Sequence, residues 1–266
     1  MIQIDRELCT GCGICARVCS MACIRLEEGK AVFKGEKRCI TCAHCMAVCP
    51  QRAVSTDIYD DSESRERIPD MELASGEGMK NRMMLRRSIR AYRKEVPSQR
   101  ELEEILDGAR YAGTGGNRQA LRYAAVCERM EEVTGEAARI LGYLSETQGF
   151  YAPAYGRIYK ENLKGNDVLF YGAPLLVLVI GNKKKGFNVK KDGGLASAYI
   201  QLMAETMGIG SCINGFFGDA VENSSALRDM LGISEEECLV QAIAMGYPLI
   251  SYLRSAPRRK LDVTWM

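Results

Sequence analysis

Eight of the twelve cysteines in this 266-residue chain fall into two runs with the same spacing. The first run has cysteines at positions 9, 12, 15 and 19, and the second has them at 39, 42, 45 and 49, followed by Pro50. In such a run three thiolates converge on one [4Fe–4S] cube, and the fourth cysteine ligates the other cube. The spacing therefore predicts two clusters. The two ligand sets are Cys9, Cys12, Cys15 and Cys49, and Cys39, Cys42, Cys45 and Cys19.

Two other uses of cysteine fit this pattern less well. Zinc sites usually pair two separated C-x-x-C motifs, whereas each run here has a triplet and a distant fourth cysteine. A disulfide framework is typical of exported chains, and the first residues contain no apolar core of signal-peptide length. Cys23, a ninth cysteine near the runs, is expected to be a small buried apolar side chain. His44, the only histidine, is expected to face solvent in a loop.

A second group of residues could bind an anion. Residues 86–92 read Arg-Arg-Ser-Ile-Arg-Ala-Tyr. Arg86, Arg87 and Arg90 offer fork-shaped donors and Ser88 adds a hydroxyl, a combination that suits a phosphate monoester. A solvated basic patch at a helix end would contain the same residues, so this segment alone does not decide between the two.

Three later segments add to the second group. Residues 113–119 form a glycine-rich stretch in which Asn117 and Gln119 carry amides that can pair with the edge of a heteroaromatic ring. Residues 208–217 read Gly-Ile-Gly-Ser-Cys-Ile-Asn-Gly-Phe-Phe and follow an apolar stretch. Residues 257–260, Pro-Arg-Arg-Lys, supply further cations near the end of the chain.

Taken in this order, the four segments resemble the nitroreductase family of FMN flavoproteins over residues 80–266, and residues 1–57 resemble bacterial-type two-cluster ferredoxins. The first resemblance implies a homodimer with FMN at the subunit interface. It implies that the FMN phosphate and pyrimidine side are held by Arg86, Arg87, Ser88 and Arg90. The residues that reach the flavin from the partner subunit would be Thr114, Asn117 and Gln119. Those against the ring near N5 would be Cys212, Ile213, Asn214 and Gly215. Further phosphate contacts would come from Arg258, Arg259 and Lys260.

Both resemblances have departures. Ser20 stands where two-cluster ferredoxins usually have proline after the fourth cysteine. Gly113 and Ala120 stand where nitroreductases often have prolines around the glycine-rich stretch. The environment of the second cluster and the shape of that stretch are therefore the parts where we expect differences from each family.

Sequence patterns outside these motifs predict an α+β chain in two parts. A two-cluster ferredoxin domain is expected at 1–57, an acidic, turn-rich linker at 58–79, and an α+β domain at 80–266 with helices on both sides of a central sheet. Residues 175–180 are continuously apolar, as in a strand covered on both faces. Residues 195–207 are apolar almost all round and predict a buried helix. Ser98 and Glu101 predict a capped helix start, and residues 81–87 are expected to be helical. Residues 27–30, Glu-Glu-Gly-Lys, predict a hairpin turn.

Composition excludes several classes of function. The net charge of +2, with no long basic patch, gives no indication of nucleic-acid binding. The longest apolar run, residues 173–180, is far shorter than the ~20 residues of a membrane helix. Thiolates and iron–sulfur clusters require a reducing compartment, which favours the cytoplasm of an organism that keeps oxygen low.

The combination predicts an FMN-dependent oxidoreductase for small electron-poor acceptors, such as nitroaromatics or quinones. Each cube passes one electron at a time and flavin accepts one or two, so two clusters hold the electrons for one flavin reduction. The electron donor is either NAD(P)H or a one-electron carrier such as a ferredoxin. The alternatives are a reductase of the same fold with another reaction, such as enone reduction or reductive dehalogenation, and an electron carrier or redox sensor without catalysis.

Overall fold

In the computed structural model, which describes residues 1–59, 75–147, 149–250, 252 and 259–266, each cysteine run contains a short helix and has a strand on either side of it in the chain. The elements are β1 Ile2–Ile4, α1 Ile14–Arg17, β2 Ile24–Glu27, β3 Lys30–Phe33, α2 His44–Ala47 and β4 Val54–Thr56. Strands β1 and β4 pair antiparallel, as do β2 and β3. These elements belong to a unit that spans Met1–Leu73.

The hairpin between β2 and β3 turns at two residues with left-handed backbone. Glu28 has φ 49° and Gly29 has φ 73°. Two consecutive positive φ angles match the twist of the flanking strands, which is why such turns close tight hairpins. The hairpin predicted from Glu27 to Lys30 is therefore confirmed, and it places β3 beside the first cysteine run.

The second unit, Ala74–Met266, is built on a mixed series of helices and strands. Its elements are α3 Gly76–Leu85, α4 Gln99–Ala109, a 3-10 turn Gly115–Asn117, β5 Leu121–Val126, α5 Met130–Leu144, α6 Ala152–Asn162, β6 Leu175–Asn182, α7 Val189–Thr206, β7 Gly210–Ile213, α8 Gly215–Glu222, α9 Ser225–Met230 and β8 Glu237–Gly246. The four strands form one antiparallel sheet in the order β5-β6-β8-β7.

Strand β6 divides the apolar core of the second unit into two layers. Its side chains alternate between faces, so Leu176, Leu178 and Ile180 pack with buried residues of α5 and α8. Leu175, Val177 and Val179 pack on the opposite face with residues of α4 and α7. The predicted central strand with helices on both sides is therefore confirmed.

Helix starts follow the local sequence signals. Ser98 accepts a hydrogen bond from the Glu101 amide while the Glu101 carboxylate accepts one from the Ser98 amide, so the predicted capping box is present. Helix α3 occupies Gly76–Leu85, earlier than the residues 81–87 expected, because Ser75 caps it by accepting the Gly78 amide. Residues 60–74, most of the predicted linker, lie outside the described residues.

Helix α7 departs from the prediction that it is buried on all sides. Its buried residues, including Ala196, Ile200 and Ala204, form one stripe, as expected for a helix packed on a sheet. Leu195 and Tyr199 on another side are 52% and 45% exposed in the single chain. Within the described part of the chain, no helix is both long enough and apolar enough to cross a membrane.

Candidate functional site

The eight cysteines of the two runs surround two separate cavities. One cavity is lined by Cys9, Cys12, Cys15 and Cys49, together with Ile4, Ala31 and other apolar residues. The other is lined by Cys19, Cys39, Cys42 and Cys45, together with Phe33 and Ile40. Each cavity thus combines three cysteines from one run with the fourth cysteine of the other. This is the distribution that the spacing predicts; that these sulfurs bind iron stays a prediction.

In each cavity, two cysteine sulfurs accept hydrogen bonds from backbone amides. One of the two sulfurs belongs to the first cysteine run and the other to the second. Cys9 Sγ accepts the Ala31 amide at 3.4 Å and Cys49 Sγ accepts the Ala53 amide at 3.3 Å. In the second cavity, Cys19 Sγ accepts the Cys23 amide at 3.2 Å and Cys39 Sγ accepts that of Thr41 at 3.4 Å. Amide donors stabilise the negative charge of a thiolate, the form that binds a metal.

Burial and hydrogen bonding act on the cysteine pKa values in opposite directions. The Ala31 amide holds the pKa of the Cys9 thiol below its usual value. Burial raises the pKa of Cys15, and it raises the pKa of Cys45 to about 11. A buried thiolate needs positive charge beside it, which coordinated iron supplies. The chemistry of the donor set therefore fits a metal cluster.

A zinc ion and an iron–sulfur cluster place different demands on the four sulfurs that bind them. Tetrahedral zinc, with Zn–S distances of about 2.3 Å, would bring four sulfurs to within about 4 Å of one another. Among the described residues, no three His, Cys, Asp or Glu side chains are grouped closely enough for one metal ion.

The repeat extends from the cysteines to the backbone. Gly11 has φ 72° and Gly13 has φ 73°; thirty residues later, Thr41 and Ala43 have φ 51° and 56°. A left-handed φ costs a residue with a Cβ about 1–2 kcal/mol, so the second loop is held in this shape by its surroundings. Cys23, beside the second cavity, is buried as expected, and His44 is exposed at the start of α2.

The arginine segment, residues 86–92, lies along the edge strand β7. Ser88 and Ser211 form a parallel bridge, and the Ile89 amide donates to the Ser211 carbonyl at 3.0 Å. The Tyr92 hydroxyl donates to the Ile89 and Ala244 carbonyls, and burial raises its pKa. The structure therefore brings two of the predicted site segments, residues 86–90 and 212–215, next to each other.

Arg86 carries a guanidinium nitrogen, Nη1, that is buried without a hydrogen-bond partner among the described residues. Buried donors are normally paired, so an orphaned cationic nitrogen is expected where an anionic group binds. The neighbouring arginines face aromatic rings: Arg87 lies 5.9 Å from the ring centre of Tyr252 and Arg90 lies 5.8 Å from that of Tyr171. These residues fit the phosphate-bearing cofactor that the sequence implies.

The end of β7 and the start of α8 contain the predicted residues 212–215. Cys212 is buried and Ile213 is 39% exposed. The Asn214 side chain accepts the Phe217 amide at 3.1 Å, which caps α8, and donates to the Leu169 carbonyl at 2.6 Å. Both the oxygen and the nitrogen of this side-chain amide therefore have protein partners.

The glycine loop, residues 113–119, is attached to helix α7 instead of to β7. Asp192 Oδ1 accepts the Gly115 amide at 3.1 Å, and the Thr114 hydroxyl accepts the Gln119 amide at 3.1 Å. The Asn117 and Gln119 side chains approach each other at 3.3 Å. No hydrogen bond between described residues joins this loop to residues 86–92 or 210–215.

The remaining predicted residues are only partly described. Arg258 lies outside the described residues, and Arg259 and Lys260 are exposed. Asp192 was not predicted as a site residue, although a single carboxylate near the start of an apolar helix was a visible signal. Phe187, whose ring lies beside the glycine loop, had no such signal.

Comparison with known proteins identifies both parts of the chain. The profile of the nitroreductase family matches residues 83–247, and that of the 4Fe-4S dicluster domain matches residues 8–54. An Archaeoglobus fulgidus protein provisionally named an NADH dehydrogenase/NAD(P)H nitroreductase is 27% identical over 166 residues, which are 61% of this chain and 81% of that protein. A ferredoxin from Pyrobaculum islandicum is 38% identical over 55 residues, 20% of this chain and 50% of the ferredoxin.

A solved structure supports the same assignment for the second unit. The crystal structure of a nitroreductase with bound FMN from Desulfitobacterium hafniense is 26% identical to this chain, with a TM-score of 0.58. The match covers 71% of this chain and 97% of that one.

Proposed function

Since this chain belongs to the nitroreductase family and carries a 4Fe-4S dicluster domain ahead of it, we propose that it reduces small electron-poor acceptors at FMN, with electrons passing between two [4Fe–4S] clusters and the flavin. The chain is a flavin oxidoreductase by family; the acceptors proposed are nitroaromatics or quinones. The observation that carries the proposal is the presence, on one chain, of two four-cysteine cavities and an arginine segment with a buried, unpaired guanidinium nitrogen.

When bound, the clusters supply one-electron transfer and FMN supplies one- or two-electron transfer, including hydride transfer. The ligands proposed for the clusters are Cys9, Cys12, Cys15 and Cys49, and Cys39, Cys42, Cys45 and Cys19. The amides of Ala31, Cys23 and Thr41 set the charge on the sulfurs they contact, and hydrogen bonds to sulfur are one of the levers on cluster potential.

The arginine segment is proposed to bind the phosphate and the pyrimidine side of the flavin. Arg86 Nη1 lacks a protein partner, so an anionic oxygen would complete its hydrogen bonding. Ser88 is held beside Ser211 by strand pairing, which fixes its position relative to β7. Guanidinium donors that are already in place stabilise negative charge on a bound group without having to move. Such preorganised donors are usually the largest electrostatic contribution in a site of this kind.

Residues 212–215 are proposed to lie against the flavin ring. Helix α8 begins at Gly215 and is capped by Asn214, so the turn between β7 and α8 is fixed in place. Ile213 and Gly215 are the exposed members of the turn, and small or apolar surface lets a planar ring approach closely.

The partner proposed for this chain is a second copy of itself. Leu195 and Tyr199 form an exposed apolar strip on α7, the helix to which the glycine loop is attached. Burying such a strip against another subunit would remove apolar area from water. Thr114, Asn117 and Gln119 of each subunit would then reach the flavin of the other.

The electron donor proposed is NAD(P)H or a one-electron carrier of the ferredoxin type. The name of the Archaeoglobus fulgidus relative supports a nicotinamide donor. A cytoplasmic location is proposed because free thiolates and clusters need a reducing compartment.

The proposal is tested on chain purified without oxygen, by FMN content and by turnover of a nitroaromatic and a quinone with NADH or reduced ferredoxin. We expect one FMN per chain, turnover of at least one acceptor, and weaker FMN binding by about tenfold or more in Arg86→Met. Arg82→Met is the matched control, because Arg82 is an exposed arginine on α3 one turn earlier.

The outcomes distinguish the proposed reductase from an electron carrier and from a reductase that acts on other acceptors. Clusters without FMN would contradict the reductase and leave the electron carrier. Bound FMN without turnover of either acceptor, but with reduction of an enone or a halogenated aromatic, would reject the proposed acceptors.

A further inference from the structure

The glycine loop is held in a strained shape. Gly116, Asn117 and Gln119 all have left-handed backbone, with φ of 59°, 54° and 46°. Residues with a Cβ rarely adopt this conformation, and such strain persists only where surrounding contacts impose it. The left-handed backbone of the glycine loop therefore depends on contacts that hold the loop in place.

Several contacts of the loop come from the loop itself or from an exposed ring. The Thr114 hydroxyl accepts the Gln119 amide at 3.1 Å. Phe187 packs so closely on Gly116 that a Cβ at position 116 would lie 2.7 Å from the ring. The Arg118 guanidinium lies 4.5 Å from the centre of the same ring. Phe187 is 70% exposed, so it does not tie the loop firmly to the core.

Asp192 provides the link to the core. It lies in the first turn of α7, is only 5% exposed, and accepts the Gly115 amide through Oδ1 at 3.1 Å. Its other oxygen, Oδ2, is buried without a hydrogen-bond partner among the described residues. A carboxylate near a helix N-terminus is favoured by the helix dipole, but burying it half-paired still disfavours the folded state.

The bond to the Gly115 amide is the specific interaction that a carboxylate makes here and that alanine would not make. We infer that Asp192 is a positioning residue: its Oδ1 fixes the strained glycine loop so that Thr114, Asn117 and Gln119 present their polar groups to the flavin. The inference rests on the flavin site proposed above. It adds a residue that acts on the cofactor through the loop and not by contact.

The first test uses limited proteolysis and does not depend on flavin. Arg118 is a trypsin site within the loop, and cleavage after it reports how often the loop opens. In the full chain, Asp192→Ala is expected to raise the rate of cleavage at Arg118 by about tenfold or more, as the loss of one hydrogen bond to a charged group predicts. Asp192→Asn keeps an acceptor oxygen for the Gly115 amide and is expected to restore protection.

The second test separates positioning from a structural role. Asp192→Ala is expected to weaken FMN binding by about tenfold or more, while the midpoint of thermal unfolding without flavin stays the same or rises. Asp192→Asn is expected to recover most of the affinity. Asp229→Ala is the matched control, because Asp229 is an exposed carboxylate on α9.

Three results would overturn the inference. These are a protected Arg118 and normal FMN affinity in Asp192→Ala, a lowered unfolding midpoint that accounts for the lost affinity, or no recovery in Asp192→Asn. If the unaltered chain binds no FMN, the proposed function fails, but the proteolysis still decides whether Asp192 fixes the loop.

Discussion

Two glycines in the first cysteine run provide a sharp test of the cluster loops, because they share a backbone conformation and differ in their surroundings. Gly11 and Gly13 have φ of 72° and 73°. A Cβ at Gly11 would lie 1.8 Å from the carbonyl oxygen of Gly29, in the β2–β3 hairpin. A Cβ at Gly13 would meet only the end of the Leu26 side chain, at 3.3 Å.

The magnitudes follow from these contacts. Either glycine-to-alanine change costs about 1 kcal/mol net, from left-handed strain minus the gain in the unfolded state. In Gly11→Ala the hairpin must also move away, which breaks the hydrogen bonds that Lys30 Nζ and the Ala31 amide make to Cys9. Two further hydrogen bonds of about 1 kcal/mol each bring the total to about 3 kcal/mol.

The assay is iron and sulfide content after anaerobic reconstitution, with the unfolding midpoint of each variant. Gly13→Ala is expected to hold about eight irons per chain, as the unaltered protein should. Gly11→Ala is expected to hold no more than about four, because the loop of Cys9, Cys12 and Cys15 cannot close. Equal iron content and equal midpoints in the two variants would refute the reasoning, since the pair differs only in the hairpin contact.

Two further predictions concern the second unit. Glu237 receives two hydrogen bonds from Arg122, at 2.7 and 2.9 Å, which lower its pKa to about 2. The contribution of the Glu237 carboxylate to the free energy of unfolding is thus present above pH ~4.5 and is lost as pH falls toward 2. Glu237→Gln should therefore lower the free energy of unfolding by about 1–2 kcal/mol at pH 7, allowing for exposure, and by far less near pH 2.5. Denaturant unfolding followed by circular dichroism measures both values. Leu195→Glu should convert the proposed dimer to a monomer in sedimentation, whereas Leu163→Glu, at another exposed leucine on the unit, should leave that dimer intact. A dimeric Leu195→Glu would reject the proposed α7 interface.

The sequence predicted best where a short-range pattern determines the structure. The Glu27–Lys30 hairpin and the Ser98 capping box depend on residues a few positions apart, and both are found where they were expected. Residues 175–180 identified the central strand because a continuous apolar run this short is typical of a strand covered on both faces.

The rest depends on contacts between distant segments. The hydrophobicity of α7 could not show which of its apolar residues face the sheet, so Leu195 and Tyr199 were wrongly expected to be buried within the chain. The Asn214 side chain donates to the Leu169 carbonyl, 45 positions away, a pairing that no sequence pattern indicates. The bond between Asp192 and Gly115 joins residues 77 positions apart and became visible only in the structure.

An anaerobic reductive titration of the purified chain tests the central claim most directly. Two clusters that each accept one electron and a flavin that accepts two predict about four electrons per chain, with loss of both the iron–sulfur and the flavin absorbance. Mixing the reduced protein with a nitroaromatic should return both absorbances together. Uptake of only about two electrons, or recovery of the flavin while the clusters stay reduced, would contradict the account.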